Sequence, residues 1–182
     1  MPETSAGVIK RYLEDAIATE RSVETQLRTF AKEGSDDEVH GAFLAHADAT
    51  HSQIEQLNGQ LENLGGSSST AKDFLAHLTA LAPRAEQIGH SDEERITQNL
   101  IVAYTGAHGE SAMYEALQAA AEAAGDDETQ QLAQTFQQQE QAAASQFWSF
   151  LRSRAKIAFN LLTIEEVNPA LNPRTVKDRI VE

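Results

Sequence analysis

The chain contains no cysteine, which excludes disulfides, thiolate metal sites and cysteine nucleophiles. It is also poor in basic residues: 14 lysines and arginines face 28 aspartates and glutamates, a formal net charge of −14. Nucleic acids and anionic membranes both demand a basic footprint, so neither is expected as a partner. Aromatics make up only 6% of the chain and there are four prolines, with no alternating β-rich run among them. No apolar stretch approaches the roughly 20 residues of a membrane-spanning helix. Met1-Pro2-Glu3-Thr4-Ser5 lacks the basic-then-apolar pattern of a signal peptide. With the missing cysteines, this leads to the expectation of a cytoplasmic protein.

What remains favours helix. The 182 residues are 41% apolar and rich in Ala, Gln and Glu, enough for one compact domain with a sizeable core. Thr4 or Ser5 caps a first helix to about Lys32, with Gly34 as its stop. Its inward stripe is Ile9, Leu13, Ala16, Glu20, Val23, Leu27 and Phe30, the seam of a bundle helix. Ser35-Asp36-Asp37-Glu38 reads as a capping box opening a second helix that ends at Gly65-Gly66. On it, Phe43, Leu44, Ala47, Ile54, Leu57 and Leu61 predict one broad apolar face that also carries Asp48 and His51.

A Ser67–Ser69 linker leads to a shorter helix over about 70–88, kinked near Pro83, with Phe74, Leu75, Leu78 and Leu81 on one face. Ser91-Asp92-Glu93-Glu94 then starts a third long helix ending near Gly125. Its stripe is Ile96, Leu100, Ala103, Ala107, Glu110, Tyr114, Leu117 and Ala121. Asp126 or Asp127 caps a fourth helix to about Phe159, with the stripe Leu132, Phe136, Glu140, Ala143, Phe147 and Phe150. The pattern decays after Leu162, so 1–162 is read as the helical domain and 163–182 as an arm or tail.

Four long helices with short turns make a bundle, and each half repeats one design. Glu20 precedes Asp48 by 28 residues and Glu110 precedes Glu140 by 30, so two helical hairpins bring four acids to one level. Carboxylates in an apolar interior cost several kcal/mol each unless paired, bonded or protonated. No seam offers a lysine or arginine to match them; Arg11 and Arg21 lie off the stripe. A pair of divalent cations resolves the repulsion, and a carboxylate-rich site with an imidazole suits iron or manganese. Candidate metal ligands are therefore Glu20, Asp48, His51, Glu110 and Glu140. Gln137, Gln138 and Gln139 surround Glu140 with polar neighbours, which makes it the weakest member. His46 is placed either to orient a ligand or on the helix flank, His108 to support the site or face solvent, and Tyr114 to pack in the core or bond Glu110. Trp148, with Phe147 and Phe150, is core or dimer-interface material.

These residues resemble the ferritin-like di-iron proteins, in which single Glu residues on two helices join a Glu-x-x-His pair on each of the others. Glu20 and Glu110 match the single acids and Asp48-x-x-His51 one pair, with Asp in place of Glu. Over roughly residues 5–155 the chain looks most like the bacterial YciE/YciF stress-protein family. The similarity is carried by 42–55 (AFLAHADATHSQIE) and by His108-Gly109-Glu110 with Tyr114. Two departures stand out: Asp48-Ala49 replaces an acidic pair, and Ala143 stands where the fourth helix would carry its histidine.

The resemblance implies an all-α, ferritin-like four-helix bundle with a short helix between the second and third long helices. It implies two irons, or manganese, Fe(II) oxidation by oxygen or peroxide, a role in stress protection, and a homodimer. Ala143 leaves the second metal position short of a ligand. The other readings are a helical scaffold that has lost its metal and, more weakly, a mineral-storing cage.

Overall fold

The computed structural model describes residues 4–33, 35–67 and 92–163. The expected short helix at 70–88 and the arm beyond Thr163 lie outside the described residues. Four helices follow in order: α1 (Ser5–Phe30), α2 (Asp37–Asn63), α3 (Asp92–Ala124) and α4 (Asp127–Leu162). No strand occurs among the described residues, and none of these helices is long and apolar enough to cross a membrane. The fold is a ferritin-like helical bundle.

Helix ends follow from local chemistry. Thr4 Oγ1 accepts the Gly7 N–H at 3.1 Å and opens α1. Asp36, rather than Ser35, caps α2 by accepting the Val39 N–H at 3.1 Å. Arg154 of α4 holds that cap from the far side, at 2.7 Å from Asp36 and 2.6 Å from Glu38. Glu38 is thus engaged by an arginine across the bundle, and the Asp36 carboxyl is held below its ordinary range chiefly by the Arg154 hydrogen bond.

Helices α2 and α3 both end on a glycine with φ of +71°, Gly65 and Gly125, a conformation that costs other residues a Cβ clash. In each case the following residue's N–H returns to the helix, from Gly66 to Leu61 O at 2.8 Å and from Asp126 to Ala121 O at 2.9 Å. Asp126 then caps α4 through the Thr129 N–H and hydroxyl. The turn between α3 and α4 is therefore two residues long.

The α3 stripe is buried at every expected position from Ile96 to Ala121, Glu110 and Tyr114 included. The interior divides into two apolar clusters. One gathers Leu27, Phe30, Val39, Phe43, Leu100 and Phe147; the other gathers Leu13, Ile17, Leu57, Leu61, Leu117 and Phe136. Val39 and Ile96, near the starts of α2 and α3, share the first cluster, whereas Leu61 and Ala121, near their ends, share the second. The end of α2 and the start of α3 therefore lie at opposite ends of the bundle. Along each helix the residues between the two clusters form the layer that holds the candidate site.

Candidate metal centre

Three of the five expected ligands meet in that middle layer. Glu20 on α1, Glu110 on α3 and Glu140 on α4 are 0%, 2% and 0% exposed. Each lies between apolar positions of its own seam: Ile17 and Leu27 flank Glu20, Ala107 and Tyr114 flank Glu110, and Phe136 and Ala143 flank Glu140. The glutamines preceding Glu140 do not draw it out to solvent; Gln138 and Gln139 are exposed while Glu140 points in.

The inward placement expected for Asp48 and His51 is corrected. Their side chains are 72% and 57% exposed, on the flank between α1 and α2. There Arg28 donates to Asp48 at 2.9 Å, and His51 Nδ1 stands 3.3 Å from Glu24. The cause is the rotation of α2 about its axis. Its buried stripe is Val39, Phe43, His46, Ala47, Thr50, Gln53, Ile54, Leu57 and Leu61, and Leu44 is left 44% exposed. Phe43 and Leu44 are adjacent and both apolar, so either is able to mark the inner face. The bundle takes Phe43, which packs between Phe30 and Phe147, and residues 48 and 51 turn away.

That rotation brings His46 inward instead. Its ring meets Phe147 edge-on at 5.6 Å, and its Nε2 stands 3.2 Å from Glu140 Oε2, without hydrogen-bond alignment. One ligand atom each from His46, Glu110 and Glu140 all lie within 4.8 Å of one another. Metal–oxygen distances of about 2.0–2.6 Å place donors up to about 4–5 Å apart across an ion, so the cluster is of coordinating size.

Two neutral side chains hold the outer acids. Gln53, on α2, donates to Glu140 Oε1 and to Gln139 Oε1, both at 2.9 Å. Tyr114 is a fully buried core residue, and its hydroxyl donates to Glu20 Oε1 instead of to Glu110, the other partner its spacing offered. His108 instead packs edge-on against Tyr104 at 4.6 Å.

The electrostatics of this layer are costly. Burial pushes the Glu20 carboxyl up to about 8, with the Glu140 charge adding to the rise and the Tyr114 hydrogen bond opposing it. Burial also pushes Glu110 well above its ordinary value, reinforced by Glu20 and Glu140 on either side. Tyr114 is raised by burial and by Glu20, so its phenol keeps its proton. With all three carboxyls ionised, Glu20 Oε2, both Glu110 oxygens, Glu140 Oε2 and His46 Nε2 have no hydrogen-bond partner; a proton on Glu110 lets it bond to Glu20 and Glu140 instead. Buried polar atoms are rarely left this way. A cation between His46, Glu110 and Glu140, whose ligand atoms are close enough to share one ion, would partner an imidazole nitrogen and carboxylate oxygens together, so the residues present fit a metal ion.

Comparison with known proteins gives the same architecture. A protein of Xanthomonas campestris pv. campestris is 26% identical, with a TM-score of 0.73 over 87% of this chain and 98% of that one. The stress protein YciF of E. coli is 22% identical, with a TM-score of 0.72 over 85% and 99%. Dps from Staphylococcus aureus shares the fold at 18% identity and a TM-score of 0.63, over 79% and 94%. No curated protein matches the sequence. A family model described as a domain of unknown function, DUF892, matches residues 8–158. Most of the chain, with every residue of the acid layer, lies inside that match, and the chain belongs to the DUF892 family.

Proposed function

We propose that the protein binds iron or manganese in its acid layer and serves, in the cytoplasm, in protection against oxidative or related stress. The observation that carries this reading is the buried cluster of His46, Glu110 and Glu140, whose ligand atoms all lie within 4.8 Å of one another. His46, Glu110 and Glu140 would hold the ion. Gln53 and Tyr114 fix the carboxylates of Glu140 and Glu20, as supporting hydrogen bonds do around metal ligands. The two apolar clusters keep bulk water from the layer. A bound iron would supply redox chemistry toward oxygen or peroxide. The stress role rests on the likeness to YciF, which is called a stress protein. The homodimer stays part of the proposal, with the 62% exposed Trp148, its ring tilted against Tyr104 at 5.3 Å, on the face to be covered.

A second reading, a scaffold that has lost its metal, is favoured by the outward placement of Asp48 and His51. On that reading the raised Glu20 and Glu110 carboxyls keep protons and bond within the acid layer. Metal analysis by plasma mass spectrometry decides between the two, on protein stripped with chelator and reloaded anaerobically with Fe(II) or Mn(II). Retention by the wild type and loss in Glu110→Ala is the expected result. An unloaded wild type would leave the scaffold.

A further inference from the structure

The geometry points to a single ion per chain, seated on His46, Glu110 and Glu140, in place of a dinuclear centre. This inference rests on the metal-binding reading above and concerns how many ions the layer holds and by which imidazole.

Among the described residues three carboxyl groups enter the layer, and the Tyr114 hydroxyl and the Gln53 amide donate to one oxygen of Glu20 and one of Glu140. The oxygens without such a donor are Glu20 Oε2, Glu110 Oε1 and Oε2 and Glu140 Oε2, beside His46 Nε2. Of these groups only His46, Glu110 and Glu140 bring ligand atoms within 4.8 Å of one another, and Glu20 stands outside that cluster. Two ions about 3.5–4 Å apart would have to divide one imidazole and two carboxylates, with Glu20 alone added on the far side.

The layer is also lopsided. On the Glu140 side a histidine from α2 faces the acid at 3.2 Å. On the Glu20 side the aromatic residue is Tyr114, a hydrogen-bond donor in its protonated form. At the layer's own level α2 contributes Thr50, which is fully buried, where a dinuclear centre would need a fourth carboxylate. The acid and imidazole of the Asp-x-x-His pair stay outside, engaged with Arg28 and Glu24. The residues that would hold the ion therefore come from α2, α3 and α4, and α1 contributes none to the cluster.

Native mass spectrometry of the full chain loaded with Mn(II), with electron paramagnetic resonance of the same sample, tests this without any activity assay. The expected result is one manganese per chain with the hyperfine sextet of an isolated ion and nitrogen coupling from one imidazole. His46→Gln should weaken Mn(II) binding tenfold or more, while His51→Ala should leave it unchanged. Two manganese ions with an exchange-coupled spectrum would overturn the inference and leave the metal-binding reading intact. Loss of binding in His51→Ala with retention in His46→Gln would overturn it as well. A wild type that takes up no manganese or iron would overturn both. The wild-type count and spectrum decide the matter even where His46→Gln folds poorly.

Discussion

The acid layer should make the metal-free protein less stable as pH rises, across a range in which many proteins are most stable. Glu20 is held at about 8 against an ordinary 4.5, so between those values the folded chain binds more protons than the unfolded one. Stability then falls with pH: the contribution is full below about 4.5 and is lost once pH has risen past about 8. At about 1.4 kcal/mol for each tenfold change in proton affinity, Glu20 alone accounts for a loss of roughly 5 kcal/mol. The raised Glu110 acts in the same direction. For a domain of this size, such a loss lowers Tm by about 10–20 °C.

The assay is urea and thermal unfolding in chelator between pH 5 and 8.5, followed by circular dichroism, with Glu20→Gln alongside. General charge repulsion also grows with pH in so acidic a chain, and the comparison with Glu20→Gln cancels it. The variant should lose the Glu20 share of the slope and keep the part that burial of Glu110 supplies. Saturating Mn(II) should reverse the slope, because coordination favours ionised carboxylates. Parallel wild-type and Glu20→Gln profiles in chelator would refute the reasoning.

Phe43→Ala should cost about 3–5 kcal/mol in urea unfolding, since Phe43 is fully buried between Phe30 and Phe147; a loss under 1 kcal/mol would contradict that packing. Gly125→Ala should cost about 1–2 kcal/mol, wholly from its φ of +71°, because a Cβ there meets nothing within 4 Å. An unchanged midpoint would mean that the turn between α3 and α4 relaxes. Asp126→Ala should cost at least the ~1 kcal/mol of a lost cap, with amide exchange accelerating at Thr129. Exchange that stays slow there would show the cap to be idle.

The seams of α1, α3 and α4 were legible because their apolar residues recur at one helical phase. Ile96 through Ala121 steps by four and three, and the interloping Glu110 follows from its neighbours, although Ile101, next to the buried Leu100, is left 44% exposed. Glu20 and Glu140 are legible in the same way. On α2 the phase is ambiguous: Phe43-Leu44 and the small Ala45, Ala47 and Ala49 allow the inner face to turn by one residue. Polar residues carry the deciding load there, and His46, Thr50, Gln53 and Gln60 are all buried. The signal that could have found them is their spacing, since 46, 50, 53, 57 and 60 step by four and three. Hydrophobicity alone passes over it. The Tyr114–Glu20 bond joins residues 94 apart, and only the packed bundle reveals it.

An acid layer between two apolar clusters also acts as a ruler. Leucine- and phenylalanine-lined helices can slip past one another by a turn, about 5.4 Å, and still bury apolar surface. Here such a slip would push Glu20, Glu110 or Glu140 against the aromatic and leucine side chains of a neighbouring cluster and strand Gln53 and Tyr114 without partners. Only one alignment of the four helices puts every polar group in the same plane. A variant with all three glutamates changed to leucine should remain helical and gain stability in chelator, while its amide resonances multiply as competing alignments become populated. A single sharp set of resonances would show that side-chain shape alone sets the register. The groups that weaken the empty bundle are thus the ones that tell its helices where to stop.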